Sequence, residues 1–438
     1  MSADSNQPQT SAPRLFLGSD QPKAASAPQV PLSSPDITQA EIDAVTAVLR
    51  TPHLSLGPEL AAFEAALAAY HSMPHAVAVS SGTAGLHLAL LTLGIGEGDE
   101  VIVPSFAFVA VANAVLQVSA TPVFAEIDPT TLNLDPASVE RAITPRTSAM
   151  LVVHTFGIPA EMDQLMAIAR HHGLAVIEDA CEAIGAEFQG RRVGSFGDLA
   201  VFGFYPNKQI TTGEGGAVLA RDAGHADRLR SLRNQGRGPQ RLGVPSEQSL
   251  LDGVKGQVLV AGVEGRTLGH TGSGNWLDHG EVGYNYRLSE MACALGRVQL
   301  GRIGEILALR QAAAERYDQL LRNIPTAIYS PTSGFRLPPL TLPNRTISWF
   351  VYVVLLPEEV DRDRVHASLT QRGIATGRYF APIHLQPAWR SHYSASATAL
   401  PLTESISRRT LALPFFNHIS VVQQEAVAAA LSESIRTL

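Results

Sequence analysis

The chain has 438 residues, with 33 Lys and Arg against 40 Asp and Glu, a formal charge of −7. That balance argues against a general nucleic-acid binder, and 45% hydrophobic with only 17% charged residues excludes a disordered chain. Two cysteines, Cys181 and Cys293, are too few for a disulfide framework or a four-cysteine zinc site.

The first ten residues, MSADSNQPQT, lack the basic region and apolar block of a secretory signal, and no run reaches about 18 uninterrupted apolar residues. The expectation is a cytoplasmic protein with no membrane span. Residues 1–31, rich in Ser, Ala, Pro and Gln, are expected to be a disordered tail. Apolar residues then recur at helical spacing in TQAEIDAVTAVLR and LAAFEAALAAYH, with Thr38 and Glu41 placed as a capping box. Seven short apolar runs follow, at 76–80, 101–104, 121–127, 149–156, 175–180, 199–204 and 217–220, separated mostly by helical segments. Strands alternating with helices predict a mostly parallel sheet covered on both faces, and Asp135-Pro136 reads as an N-cap with Pro at the first helical position. The fold class is therefore α/β, with a large domain over 32–300. One long helical pattern from Gly301 to Asn323, the run WFVYVVLL, a helix near 361–373 and a last helix near 420–437 predict a smaller α+β domain over 301–438. Within the large domain, 238–274 is Gly-rich and without a sustained period, a long loop of the kind that is usually functional.

Lysine is rare here. Lys23, Lys208 and Lys255 are the only three, and arginine supplies the other thirty basic side chains. Lys208 lies just past the run LAVFGF and ahead of TTGEGG, at a strand end, where α/β enzymes place ligands. Ser80-Ser81-Gly82-Thr83 joins another strand to a helix, and free N–H groups there form an anion site. Asp179 ends the strand AVIEDA, and Phe108 follows the strand VIVP. An anion cradle, an aromatic plate, a carboxylate and a lysine at four strand ends are the parts that pyridoxal phosphate needs. In isolation each has a plainer explanation, as a bare turn, a helix cap, a core aromatic or a surface lysine.

The sequence resembles the DegT/DnrJ/StrS family of sugar aminotransferases, pyridoxal-phosphate enzymes of the aspartate-aminotransferase fold type (type I), and within it the nucleotide-sugar 4-aminotransferase branch. The likeness runs from about Pro31 to Leu438 through LGPELAAFEAALAAY, SSGTAGLHLAL, VIVPSFAFVAVANAV, IEDACEAIGA, FYPNKQITTGEGGAVL, LRNQGR, GYNYRLSEMACALGRVQL, YFAPIHLQP and LALPFF. It implies Lys208 as the Schiff-base lysine, Asp179 as the pyridinium partner, Phe108 as the stacking ring, and Gly82 and Thr83 as the phosphate cradle. It also implies a homodimer with shared active sites, in which Asn285 reaches the phosphate of the other subunit, and a substrate loop carrying Tyr379 and His384. Two positions depart from the family pattern. Gly203 stands where a phosphate-binding serine is common, and Glu182 where His or Gln is usual, so Glu182 either faces the cofactor's phenolic oxygen or turns away. The expected activity is transfer of an amino group, from glutamate, to a nucleotide-linked 4-keto-6-deoxyhexose in surface polysaccharide or glycoside biosynthesis. The alternatives are a keto-cyclitol aminotransferase and a non-catalytic pyridoxal-phosphate-binding regulator. The scattered histidines, among them His154, His270, His279, His384 and His418, match no metal pattern, and no metal is expected.

Overall fold

The computed structural model describes residues 30–237, 279–322, 334–390 and 399–437. The Gly-rich segment 238–274 lies outside them, as do residues 1–29 of the expected tail. Val30, within that expected tail, is buried: its N–H donates to the Gly373 carbonyl (3.1 Å), and its carbonyl accepts from Ala375 (3.0 Å).

All seven predicted strands form one sheet: β1 (His75–Val79), β2 (Glu100–Pro104), β3 (Thr121–Ala125), β4 (Thr147–Val153), β5 (Ala175–Asp179), β8 (Leu199–Gly203) and β9 (Gly216–Ala220). The pairs β6 (Glu187–Phe188) and β7 (Arg191–Arg192) lie outside it. The spatial order is β1-β9-β8-β5-β4-β2-β3, and β9 runs antiparallel to both its neighbours while the remaining pairings are parallel. Six strands therefore end at the same edge. Because successive strand residues point to opposite faces, Val77, Val103, Leu151, Ile177 and Val201 pack on one side with Leu86, Leu88 and Val111. Ala78, Ala200 and Phe202 face the other side with Leu60, Phe63 and Leu67, and Ile102, Val152 and Val176 join Val139 and Leu165 there. Two apolar layers explain why the strands read as near-continuous apolar runs.

The helices begin where the sequence places caps. The Thr38 hydroxyl accepts from Ala40, and Glu41 accepts from the Thr38 N–H (2.7 Å), starting α1 (Gln39–Leu49). Asp135 caps the helix Pro136–Ala142 through the Ala137 and Ser138 N–H groups. At the start of α2 (Pro58–Tyr70), a buried carboxylate from a distant segment does the same work. Glu290 accepts from Gly57 (2.9 Å), Glu59 (2.8 Å) and Leu60 (3.0 Å).

The helical pattern predicted from Gly301 to Asn323 is a helix over Ile303–Arg322 in the structure. The helix before it, over Glu290–Gly301, ends at Arg302. Arg302 pairs there with Asp36 (3.3 Å), Glu41 (2.9 Å) and Glu305 (3.3 Å), tying the break to the start of the described chain. Beyond it, the antiparallel pair Tyr352–Leu355 and Thr410–Leu413 packs with the helices Arg362–Gln371 and Val421–Thr437. Tyr317, Trp349, Tyr352 and Phe415 form its aromatic core, and the Tyr317 hydroxyl donates to the Pro414 carbonyl (2.8 Å). Of the run WFVYVVLL, only Tyr352–Leu355 is a strand. No helix among the described residues is long and apolar enough to cross a membrane.

Candidate active site

Strand alternation separates the two neighbouring acids of β5. Glu178 shares the parity of Val176 and is fully buried, where it accepts from the Gly194 (2.7 Å), Phe196 (2.7 Å) and Gly197 (2.8 Å) N–H groups. His154 Nδ1 accepts from Ala160 N–H (3.1 Å), so Nε2 carries the ring proton and donates it to Glu178 (3.1 Å). Burial would raise the Glu178 carboxyl, but these hydrogen bonds hold it below the ordinary range. Glu178 is thus a fully engaged structural anion. Asp179 takes the opposite parity, and its carboxylate accepts from Cys181 N–H (3.1 Å).

Lys208 follows β8 by five residues, in the turn that leads back into β9. Its Nζ lies 3.5 Å from Glu182 Oε1 and 4.0 Å from the centre of the Phe350 ring. Glu182 therefore turns inward, toward Lys208. Its Oε2 accepts from Phe156 N–H (2.9 Å), and its backbone carbonyl accepts from Gln209 Nε2 (2.6 Å).

Ser81 caps α3 (Gly82–Thr92) by accepting from Ala84 N–H (3.1 Å), and Gly82 and Thr83 open the helix with N–H groups that no helical carbonyl can reach. A Cβ on Gly82 would lie 2.8 Å from Cys181 Sγ, so a side chain there would have to displace the thiol. Gly203 faces the same sulfur, with a built Cβ at 3.2 Å from Sγ and 3.4 Å from the cysteine Cβ. The thiol thus fills the space beside the two glycines, where Gly203 replaces the common serine. Cys181 also feels the charges of Asp179, Lys208 and Glu182, and together with burial the two acids push it well above the usual thiol range. The Gly82-Thr83 turn, Asp179 and Lys208 thus meet around one side chain.

Phe108 comes soon after β2 and is 63% exposed, so its ring is free to cover a flat ligand. Tyr379 is half-buried. Its hydroxyl is raised by burial and by the Glu182 charge, and the Asn207 hydrogen bond opposes them, which places it beside the lysine turn. His384 is more committed. The Ser105 hydroxyl accepts from the His384 backbone N–H (3.2 Å) and lies 2.6 Å from Nδ1, while Nε2 is 3.5 Å from Glu404. The ring fastens the YFAPIHLQP segment to the end of β2. Asn285 is exposed, in a bridge with Asn234, away from the groups around Lys208 in sequence and on a different segment.

Cys181, Phe156 and Phe350 were not singled out by the sequence. Cys181 is two residues from Asp179 and could have been flagged by that spacing. Phe350 is 142 positions after Lys208, and only the tertiary fold brings its ring to the amine.

These residues fit pyridoxal phosphate: a helix N-terminus kept clear of side-chain carbon by Gly82, an exposed aromatic, an acid at a parallel strand end, and a lysine amine. The comparisons agree. The GDP-perosamine synthase of Caulobacter vibrioides is 36% identical over 409 residues, 93% of this chain and 98% of that protein. The erythromycin biosynthesis sensory transduction protein EryC1 of Saccharopolyspora erythraea is 38% identical over 377 residues, 86% and 90% of the two chains. Among solved structures, DesV of S. venezuelae, captured with a ketimine intermediate, has a TM-score of 0.77 and 37% identity, covering 94% of this chain and all of its own. The profile of one family matches residues 35–432, nearly the whole described chain, and the protein belongs to it: the DegT/DnrJ/EryC1/StrS aminotransferase family.

Proposed function

We propose that this enzyme moves an amino group from glutamate to a nucleotide-linked 4-keto-6-deoxyhexose, with pyridoxal 5'-phosphate as cofactor. The observation that carries the reading is the convergence of Lys208, Asp179 and the Gly82-Thr83 turn around Cys181, joined to 36% identity with a GDP-perosamine synthase over 93% of the chain. Gly82 and Thr83 hold the phosphate, Asp179 pairs with the ring nitrogen, and Phe108 covers the ring face. When bound, the cofactor supplies an electron-accepting ring that makes a proton on the attached donor carbon acidic. Lys208 Nζ takes that proton and returns it, as a general base and acid whose position is set by Glu182 and the Phe350 ring. Tyr379 borders the same space and contributes to the substrate side, as does the segment that His384 fastens.

In this reading the enzyme is a cytoplasmic homodimer, and Asn285, exposed on its own segment, completes the partner's phosphate site. The product serves surface polysaccharide or glycoside synthesis. A large domain over 32–300 holds the cofactor, and the part from 301 on bears on the substrate. The 38% identity to a protein named for sensory transduction keeps one other function in view, a binding protein without turnover. A lysine and an acid both placed for chemistry speak against it.

The test is an amination assay with glutamate that compares nucleotide-linked 4-keto-6-deoxyhexoses with keto-cyclitols and 2-oxo acids at matched concentration. Preference for the nucleotide sugars supports the proposal. Preference for a keto-cyclitol moves the function to aminocyclitol synthesis, and turnover of 2-oxo acids alone removes the sugar reading. A cofactor spectrum that no amino donor changes would favour the binding role.

A further inference from the structure

Glu182 is a buried carboxylate that the transamination scheme above leaves without a chemical task. One oxygen is fixed by Phe156 N–H at 2.9 Å, and the other lies 3.5 Å from Lys208 Nζ. Its own backbone is pinned by Gln209, the residue after the lysine, so acid and amine are held on both sides of one contact. The charged and titratable groups that face it are Lys208, Asp179, Cys181 and Tyr379. Lys208 is the cation among them.

We propose that Glu182 is the proton partner of Lys208: a positioning residue that holds the ammonium before the cofactor binds and receives its proton when the amine is needed. The inference rests on the reading that Lys208 is the amine that reacts with the cofactor. In the step, an N–H bond of the Lys208 ammonium breaks and an O–H bond forms on Glu182 Oε1. An ion pair becomes an amine and a carboxylic acid, with no net charge moved and no other reactant. Such a transfer suits a buried pair, because separated charges are costly where water is scarce. Burial pushes the Glu182 carboxyl above its ordinary range, with the Lys208 charge opposing, so the acid is a better proton acceptor than an exposed glutamate. Gln at this position could not take the proton, and His, the other type the family pattern leads one to expect, would take it only by becoming a cation itself, so neither gives a neutral pair.

The experiment uses the full-length apoenzyme with 13C at lysine Cε, whose three lysines give three signals, and follows them with pH; Lys208→Arg assigns the signal. In the wild type, the Lys208 signal is expected to show a second, acid-side inflection as Glu182 titrates. In Glu182→Gln that inflection should vanish, and the main midpoint should fall by about one unit, roughly tenfold more free amine at a given pH. An unchanged midpoint, or a wild-type curve without the acid inflection, overturns the proposal. Should Glu182→Gln not fold, Asp179→Asn decides: the inflection persists if it belongs to Glu182, and its loss assigns it to Asp179 and overturns the proposal. No cofactor or substrate is present, so the result is separate from the amination assay. Loss of cofactor colour in Lys208→Ala tests the underlying reading by itself.

Discussion

Restoring the serine that Gly203 replaces should weaken cofactor binding, because the space is taken. A Cβ at Gly203 would stand 3.2 Å from Cys181 Sγ, tighter than ordinary contact, and 3.4 Å from its Cβ, so the thiol would have to give way by a few tenths of an ångström. Overpacking a tight site costs roughly 1–3 kcal/mol. Gly203→Ser alone should therefore raise the dissociation constant of pyridoxal phosphate by about 5- to 140-fold at 1.4 kcal/mol per tenfold. Cys181→Ala removes the obstructing sulfur and by itself should change little, since the thiol reaches the Val201 carbonyl only at 3.8 Å, a weak contact. Combined, the two changes free the new hydroxyl to meet the phosphate, and a hydrogen bond to a charged group is worth about 1.5–3 kcal/mol. The double variant should then bind at least as tightly as the wild type, with a coupling of roughly 1–3 kcal/mol. Titration of the four apoenzymes by fluorescence measures the cycle. Additivity within about 0.5 kcal/mol would refute the idea that Cys181 and Gly203 compensate for each other.

Asp179→Asn should retain the fold, since Cys181 N–H keeps an oxygen to donate to, but lower kcat by about 10- to 1,000-fold, as expected for loss of a charge that acts mainly in the transition state; unchanged kinetics would assign that task to another acid. Mixing inactive Lys208→Ala with Asn285→Ala should recover activity, because one hybrid site then carries both groups, and no recovery despite subunit exchange would confine Asn285 to its own subunit. Glu41 gives a pH test. Burial opposes its ionisation, but hydrogen bonds from Thr38, Arg302 and Gln299 lower its carboxyl to about 2, so its stabilisation is complete above about pH 5 and disappears as pH falls toward 2. Glu41→Gln should cost roughly 1–3 kcal/mol at pH 7 and less at acid pH, read by urea denaturation; an equal loss at pH 7 and pH 3 would contradict the account.

What the sequence made legible followed locality. The seven strands were readable because each is apolar on both faces and bounded by turn residues, and the caps at Thr38 and Asp135 because cap and helix are neighbours. The separate helix over Glu290–Gly301 was not, and the ion pairs that fill the break after it come from Asp36 and Glu41, more than 250 positions before Arg302. At the site, Lys208 stood out by rarity and by its strand end. Glu182 was visible as an unusual residue, yet its direction was open, because Phe156 N–H, which turns it inward, lies 26 positions away on another strand's end.

The two departures from the family pattern have different physical consequences, and the structure separates them. Gly203 is a steric change: it loses a hydroxyl and makes room that Cys181 occupies, so its effects belong to cofactor affinity. Glu182 is an electrostatic change: it adds a buried acid 3.5 Å from the Lys208 amine, so its effects belong to proton inventory and pH dependence. Both meet at Cys181, whose thiol lies against the glycines and within the field of Asp179, Lys208 and Glu182. A substitution at Cys181 should therefore alter phosphate packing first and the charge balance only weakly, since burial keeps the thiol protonated and uncharged. Cys181→Ser separates the two, because it keeps the volume nearly constant and offers a hydroxyl beside the turn. It should tighten cofactor binding modestly and leave the Lys208 titration where it is. A shift of that titration by a unit or more would show that the thiol belongs to the proton network after all.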